Sequence, residues 1–263
     1  MLLITLVACN GRGNSGSGTA KETAKDTTAT LDEVLKKNIA LYPDSLKLRD
    51  SLINYYANNA NYEAALAATD AVLKKDSTIA YFWDMKAKLH GMMDDTAQAI
   101  HALEMAADLN PLPEYLMSLG YLYADTKNEK ALVIGDALLV ADKANAQKEA
   151  LLIQGIYYRK TGNNPKAVTL FSDAIKLDYT FMFAYREKAI ALYDLGQYNE
   201  AIAVLEKATT LHNSFDEGYY WLGRCSEKLG KVAEAVEYYQ LALTYSNGDY
   251  LEAKDALERL GVK

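Results

Sequence analysis

The sequence matches itself at a shift of 34 residues from about residue 31 onward, and this repeat limits the possible folds more than any other feature. Two helical patterns of about 13 residues flank a short break within each period. Because one amphipathic pair of helices cannot bury its apolar face alone, the units must stack on one another. Small residues recur in fixed phase: Ala65, Ala99, Ala167, Ala201 and Ala235 in one series, Ala106, Ala174, Ala208 and Ala242 in a second, and Gly162, Gly196 and Gly230 in a third.

These small residues have a steric explanation. Alanine at fixed positions lets two helix backbones approach closely, while larger apolar side chains fill the space beside them. Each recurring glycine follows a helical pattern, where a left-handed residue is commonly needed. Only 4 of the 263 residues are proline, which suits a chain that is helical nearly throughout. The net charge of −7 argues against a nucleic-acid-binding protein, whose affinity depends on neutralising phosphates.

Over residues 46–249 the chain resembles the tetratricopeptide repeat, a 34-residue helix-turn-helix unit with small residues on both helices and an aromatic residue near the start of the first. The resemblance implies an all-α fold, a right-handed α-solenoid (superhelix) of about six such repeats with capping helices at both ends. The signature residues appear in altered form as Tyr219, Leu222, Gly223, Ala235, Tyr239 and Ala242 in one unit, as Leu151, Gly155, Tyr158, Ala167, Phe171 and Ala174 in another, and as Trp83, Ala87, Ala99, Leu103, Ala106 and Pro111 in a third.

The repeats and their flanks divide the chain into segments. Residues 31–45 predict an N-terminal capping helix, and residues 250–263 predict a C-terminal one with Leu251, Leu257 and Leu260 facing inward. The six units between the caps are 46–79, 80–113, 114–147, 148–181, 182–215 and 216–249.

Two of the units depart from the pattern. Arg49 and Thr69 replace large apolar residues in the first unit, as expected for a terminal repeat. In the third unit Gly120 falls one residue early and Ala131 two residues early, and we expect Gly135 to interrupt its second helix. The third unit is therefore either a bent joint or a place of local repacking, and we favour local repacking.

The N-terminus predicts a membrane tether. Residues 1–9 are an apolar run, far shorter than the roughly 20 residues that span a bilayer, and Leu6 to Cys9 resembles the bacterial lipobox with Cys9 as the lipidated residue. Residues 10–30 contain no large apolar side chain and predict a flexible linker. This pattern favours a lipid anchor in a bacterial cell envelope, on the periplasmic or surface face of a membrane. The run lacks the basic start and the longer apolar core of a complete signal sequence, so either the start codon was assigned too late or the run is an incidental apolar terminus on a cytoplasmic protein.

The resemblance also implies that the first helix of each repeat lines the concave surface, where ligand peptides of the family usually lie. Two series of first-helix positions, each taken at steps of 34 residues, lie on that surface. Along the array their side chains change from acidic and polar to apolar and aromatic, with arginine near the end. Tryptophan, tyrosine and arginine are the usual anchor residues of interfaces. The predicted partner-binding residues are Asp50, Asn54, Asp84, Lys88, Met117, Tyr121, Leu152, Ile156, Phe183, Arg186, Ile190, Tyr220, Trp221 and Arg224.

The charges of this surface indicate the ligand. Chaperone-binding members of the family hold a C-terminal carboxylate with lysine and asparagine on their first helices, whereas this chain offers Asp50 and Asp84 at its early repeats. Our hypothesis is a peptide or partner helix whose acidic or carboxylate end meets Arg186 and Arg224. The alternative is that individual side chains of this set simply pack between helices.

The sequence offers little support for catalysis, a metal site or a cofactor. His90, His101 and His212 lack the i, i+4 spacing of paired metal ligands, and Cys225 in mid-helix predicts a small packing residue. No GxSxG, P-loop or HExxH motif is present. We predict a non-enzymatic scaffold that binds a protein or peptide and not nucleic acid. The alternatives are a soluble cytoplasmic adaptor and an accessory subunit that presents an enzyme, such as a cell-wall hydrolase, with its substrate.

Overall fold

The computed structural model describes residues 29–141 and 146–262, and within these ranges every regular element is an α-helix. Cys9, the apolar run 1–9 and nearly all of the predicted linker 10–30 lie outside the described residues. The helices are α1 (Leu31–Leu41), α2 (Leu46–Asn58), α3 (Tyr62–Lys75), α4 (Ala80–Met92), α5 (Thr96–Leu109), α6 (Pro113–Asp125), α7 (Lys130–Ala141), α8 (Gln147–Lys160), α9 (Asn164–Leu177), α10 (Met182–Asp194), α11 (Tyr198–Leu211), α12 (Asp216–Lys228), α13 (Val232–Tyr245) and α14 (Leu251–Arg259).

The helices pair along the chain. From α2 to α13 each even-numbered helix packs against the odd-numbered helix that follows it, and that second helix packs against the first helix of the next pair. Helix α1 packs on α2 at one end, and α14 packs on α13 at the other. The predicted α-solenoid class is confirmed. None of the described helices is long and apolar enough to span a bilayer.

The turn inside each pair places one residue in the left-handed region. Gly162, Gly196 and Gly230 have φ of +89°, +75° and +76°. The turns of the first two pairs use Ala60 (φ +54°) and Asp94 (φ +57°), which stand at the same phase of the period. These side chains carry a steric strain that glycine avoids.

The small residues let the first helix of a pair lie close to the second. Ala167, Ala201 and Ala235 are completely buried. At Gly223 a Cβ atom would stand 2.6 Å from Cε1 of Tyr239, because the tyrosine ring fills the space that a side chain would occupy. The close approach of helix backbones is therefore what the period of small residues encodes.

The third pair departs from the others in its packing. Helix α7 runs without a break through Gly135, so the prediction that this glycine interrupts the helix is wrong. Gly135 is buried against Gln154 of α8, whose Cγ would lie 2.9 Å from an added Cβ. Gly120 on α6 lies close to Ile153 of α8 in the same way. Both glycines are explained by tight contacts with α8 and not by a helix end.

The C-terminal helix corrects one further prediction. Leu251 is exposed and does not face inward. Helix α14 is buried through Ala253, Ala256 and Leu257, and Leu260 packs against the same cluster. The buried face of α14 therefore does not include Leu251, the first residue of the helix.

Candidate peptide-binding surface

The early part of the predicted surface is occupied by internal hydrogen bonds. Asn54 donates to Oδ1 of Asp50, and the hydroxyl of Tyr81 on α4 donates to the same oxygen at 2.7 Å. Burial and this hydrogen bond raise the pKa of Tyr81 to about 12. Asp84 is buried and forms an ion pair of 2.5 Å with Lys88. The hydrogen bond from Tyr81 to Asp50 joins α4 to α2, whereas the other two contacts lie within one helix, and these polar groups already have partners inside the protein.

The middle of the predicted surface is mostly core. Leu152 is 2 % exposed, so the prediction that it lines a binding surface is wrong. Met117, Tyr121 and Ile156 are half-buried and pack against the apolar clusters of α6 and α8. Burial, together with the nearby charge of Glu149, raises the pKa of Tyr121 above its usual value. Leu152 therefore packs between helices, which is the alternative to a binding role that we stated for individual residues of this set.

Arg186 lies in a chain of charges that joins three first helices. Its Nη1 is 2.5 Å from Oε1 of Glu217 on α12, and its Nη2 is 3.1 Å from Oε1 of Glu187. Glu187, which is 5 % exposed, also accepts from Nη2 of Arg159 on α8 at 2.8 Å. Two carboxylates thus balance the charge of Arg186 inside the protein. Phe183 lies exposed beside this network, with its ring centre 5.3 Å from the guanidinium of Arg186.

Arg224 is held by aromatic groups instead of carboxylates. Its Nη1 donates to the hydroxyl of Tyr220 at 3.0 Å, and its Nη2 donates to the hydroxyl of Tyr193 at 3.2 Å. The guanidinium carbon lies 5.1 Å from the ring centre of Trp221 and 5.2 Å from that of Tyr193. Across residues 29–141 and 146–262, no carboxylate approaches within ion-pair distance of Arg224. Arg224 therefore has no direct ion-pair partner in the part of the chain that the structure describes, although the nearby carboxylates of Glu227 and Asp194 interact with its charge at longer range.

Arg224 faces an open cleft of about 510 Å³ between α12 and α14. The α12 wall carries Arg224 and Lys228, and the α14 wall carries Glu252 and Asp255. Arg259 also lines the cleft, but its charge is used in a bidentate pair with Glu227 at 2.5 and 2.9 Å. The cleft can thus bind a polar segment, with cationic groups on one wall and anionic groups on the other.

The α14 wall is the part of the site that the sequence interpretation missed. We assigned residues 250–263 to a cap and did not consider their outer face. Glu252, Asp255 and Arg259 are spaced at i, i+3 and i+7, which places them on one side of the helix. This spacing is the sequence signal that could have identified the wall.

The remaining predicted residues have ordinary packing positions. Ile190 and Trp221 are half-buried, and Trp221 packs against the cluster of α10, α11 and α12. Cys225 is completely buried, and burial raises the pKa of its thiol to about 12. A thiol that stays protonated at neutral pH is a poor nucleophile, which agrees with the packing role predicted for it. His90 is buried with its Nδ1 3.5 Å from a carboxylate oxygen of Asp95.

Comparisons with known proteins agree with this geometry. Residues 186–250 match the family model described as tetratricopeptide repeat. A TPR repeat-containing protein of Methanocaldococcus jannaschii is 34 % identical over 120 residues, which are 45 % of this chain and 35 % of that protein. The Hsp70-Hsp90 organizing protein of Triticum aestivum is 33 % identical over 110 residues, which are 41 % of this chain and 18 % of that protein. The chain therefore spans about a third or less of the length of these two relatives.

A solved structure shows the same architecture over nearly the whole chain. The crystal structure of a tetratricopeptide repeat protein from Parabacteroides merdae superposes with a TM-score of 0.74 at 19 % sequence identity. The superposition covers 87 % of this chain and 90 % of that one. At this identity the likeness establishes the fold alone. The family match over residues 186–250, the relatives and the paired helices agree that the described helices have the tetratricopeptide-repeat fold.

Proposed function

We propose that this chain is a non-catalytic scaffold that binds a protein or peptide on its first helices, with Arg224 as the main anchor. Tetratricopeptide repeats are in general a protein-interaction module, and the named relative from Triticum aestivum is an organizing protein for two chaperones. The single observation that carries the proposal is the guanidinium of Arg224, which lies in an open cleft and has no direct ion-pair partner among the described residues.

The chemistry of Arg224 indicates an acidic group on the ligand. A guanidinium has five N–H donors, and the two tyrosine hydroxyls engage two of them. The others can donate to a side-chain or C-terminal carboxylate of a bound peptide. A hydrogen bond to a charged group is worth about 1.5–3 kcal/mol, so the loss of Arg224 should weaken binding by roughly 10-fold to 100-fold.

Arg186 is the less suitable of the two arginines that we predicted as anchors. A ligand carboxylate at Arg186 would compete with Glu187 and Glu217, which are already within 3.1 Å. We therefore assign Arg186 to the joining of α10 with α12, and the ligand to Arg224.

Selection from a displayed library of random peptides with free C-termini tests the proposal. Peptides selected on the wild-type protein should carry a carboxylate whose neutralisation abolishes binding, and Arg224→Gln should weaken their binding at least about 10-fold. Arg49→Gln is the matched control, because Arg49 lies on α2 at the far end and its replacement removes the same charge. If no peptide is enriched, or if both variants bind like the wild type, Arg224 is not the anchor.

We further propose that Cys9 carries a lipid and that the scaffold serves as an assembly or adaptor protein at the bacterial cell envelope. The support comes from the sequence: a lipobox-like Leu6 to Cys9, followed by a polar segment without large apolar residues. Labelling with a palmitate analogue and partitioning into detergent should both be lost in Cys9→Ala. Cys225→Ala is the matched control and should keep both, because Cys225 is buried inside the array. A wild-type protein that takes no label would favour the cytoplasmic adaptor instead.

A further inference from the structure

Helix α1 exposes a large apolar side chain at the position where the repeats bury alanine. Leu31 stands 34 residues before Ala65 and is 56 % exposed. The alanines at the same phase of the period are at most 2 % exposed, and they are Ala65, Ala99, Ala167, Ala201 and Ala235. Helix α1 has the phase of a second helix, and the described residues contain no first helix paired with it. A leucine at this position would also hinder an ordinary first helix, which needs a small residue there to approach closely.

Leu31 belongs to an apolar row on α1. Val34 and Leu41 are also exposed, at 41 % and 65 %. With the half-buried Asn38 between them, these residues have the spacing i, i+3, i+7 and i+10 of a heptad seam. We call Leu31, Val34, Asn38 and Leu41 the α1 stripe. Residues at this spacing face a second helix in a coiled coil, and on the 11 residues of α1 they form a short seam of about one and a half heptads.

The opposite end of the array does not match this stripe. The outer side of α14 carries Glu252, Lys254, Asp255 and Glu258, with Leu251 as its one large exposed apolar residue. A polar outer face is typical of a terminal helix that closes a repeat array. Stacking of one copy on the next, head to tail, would therefore bury the α1 stripe against charged groups.

The segment just before α1 is also a poor match. Residues 10–30 contain no leucine, isoleucine, valine, methionine or aromatic residue. A helix needs a face of large apolar side chains to fill a seam of this kind. This segment has none and cannot fill the seam. With Cys9 lipidated as proposed above, the apolar residues 1–8 would be removed from the mature chain, so a second polypeptide chain is the better occupant.

We propose that the α1 stripe packs against the α1 stripe of a second copy of this chain, with the two helices antiparallel about a two-fold axis. An overlay centred on Lys36 sets Leu31 opposite Leu41 of the second copy and Val34 opposite Asn38. The same overlay places Lys37 of each copy equally near Glu33 and Lys37 of the other, and each Lys37 also has Glu33 of its own helix one turn away, so the flanking charges balance. A self-complementary patch is what a two-fold interface requires.

The size of the contact sets its strength. Each copy contributes one helix of 11 residues and little else. Interfaces of this kind fall below about 1,200 Å² and are weak and transient. The dimer should accordingly form at micromolar or higher concentrations.

Sedimentation velocity of the full chain, from about 5 μM to about 500 μM, tests the proposal in the range where so small an interface dissociates. The wild type should move from monomer to dimer, without larger species. Leu31→Glu combined with Leu41→Glu should raise the dissociation constant at least about 10-fold, since it places carboxylates in the seam. Leu251→Glu is the matched control, because it makes the same change at an exposed leucine on the other end.

Three results would overturn the proposal. They are a wild type that stays monomeric throughout the range, a dimer that the double variant leaves unchanged, and open-ended assembly. In a monomeric wild type, the N-terminal segment is the other candidate occupant of the α1 stripe, and removal of residues 1–28 distinguishes this case. If the truncation increases the binding of a hydrophobic dye in the wild-type background but not in the double variant, the N-terminal segment covers the α1 stripe. Circular dichroism of each variant separates a loss of assembly from a loss of folding.

Discussion

Arg224 on α12 donates from Nη2 to the hydroxyl oxygen of Tyr193 on α10, 3.2 Å away, and so joins two successive first helices without a carboxylate. The two residues are 31 positions apart, which is one period less about one helical turn. Two other contacts between first helices have the same separation, from Tyr81 to Asp50 and from Arg186 to Glu217. Successive first helices therefore meet at the same sequence separation along the array, while the groups that make the contact change from a tyrosine and a carboxylate to an ion pair and then to an arginine and a tyrosine.

Replacing Tyr193 by phenylalanine should loosen Arg224 while keeping the ring beneath it. The variant loses the acceptor at Nη2 but retains the aromatic contact at 5.2 Å. We expect the affinity for an Arg224-dependent peptide to fall by about threefold to 10-fold, the effect of one neutral hydrogen bond of about 0.5–1.5 kcal/mol. Titration calorimetry with a peptide from the display selection measures this. Tyr198→Phe is a suitable control because Tyr198 contacts Tyr193 but makes no hydrogen bond to Arg224. An equal loss in both variants would show that the aromatic cluster, and not the hydroxyl, sets the affinity.

Replacing Glu187 by glutamine should strongly destabilise the array. Glu187 is 5 % exposed and accepts from both Arg159 and Arg186, so the change leaves Arg159 without its carboxylate in a buried site. Removing one partner of a buried ion pair costs about 3–5 kcal/mol. The midpoint of urea unfolding, followed by circular dichroism, should fall accordingly.

The matched comparison for Glu187 is Glu217→Gln. Glu217 pairs with Arg186 from a much more exposed position, and exposed pairs contribute about 0–1 kcal/mol. Similar midpoints for the two variants would contradict the central place of Glu187 in the network.

The fold could be predicted from the sequence because its causes are local and repeated. The alanines at fixed phase are required wherever two helices of a pair approach, and glycine fits the left-handed turn at Gly162, Gly196 and Gly230. The same turn at Ala60 carries no such signal, because alanine there is tolerated at an energetic cost and not preferred. Gly135 misled the interpretation because a glycine that admits a neighbouring side chain looks, in sequence, like one that ends a helix.

The candidate site could be predicted only in part, because its electrostatics depend on contacts between units. Arg186 and Arg224 occupy similar surfaces of first helices and look alike in the sequence. Their difference comes from Glu187 and Glu217, which form ion pairs with Arg186 but not with Arg224. Which carboxylate reaches which arginine depends on the stagger between helices 31 residues apart, and this stagger is fixed by packing.

The pair of Glu227 and Arg259 should make the attachment of α14 sensitive to acid. The hydrogen bonds from Arg259, and one from Tyr239, hold the pKa of Glu227 below its usual value. A carboxylate with a lowered pKa stabilises the folded state above the unfolded pKa of about 4.3, and this stabilisation is lost as the pH falls through the folded value. Thermal unfolding should therefore separate the wild type from Glu227→Gln at pH 7, and the difference should shrink steadily below about pH 4.3.

The surface pair of Lys231 and Glu234 provides the control for this pH dependence. Both of its side chains are half exposed, so Glu234→Gln should change the unfolding temperature little at any pH. A difference between the wild type and Glu227→Gln that persists unchanged at pH 3 would show that Glu227 acts through packing and not through its charge.

Two helical glycines should respond in opposite directions to the same substitution. At Gly223 the ring of Tyr239 occupies the place of a side chain, with Cε1 only 2.6 Å from an added Cβ, and the ring is completely buried and cannot move aside. Gly223→Ala should therefore cost about 1–3 kcal/mol, the usual effect of overpacking a core. Gly91 lies in α4 with nothing within 4 Å of an added Cβ, so Gly91→Ala should stabilise the protein by up to about 1 kcal/mol through the higher helix propensity of alanine. Urea unfolding of both variants measures the two signs. A gain of stability in Gly223→Ala would mean that Gly223 is not needed for the close approach of α12 and α13, and a loss in Gly91→Ala would mean that helix propensity does not decide the effect at Gly91.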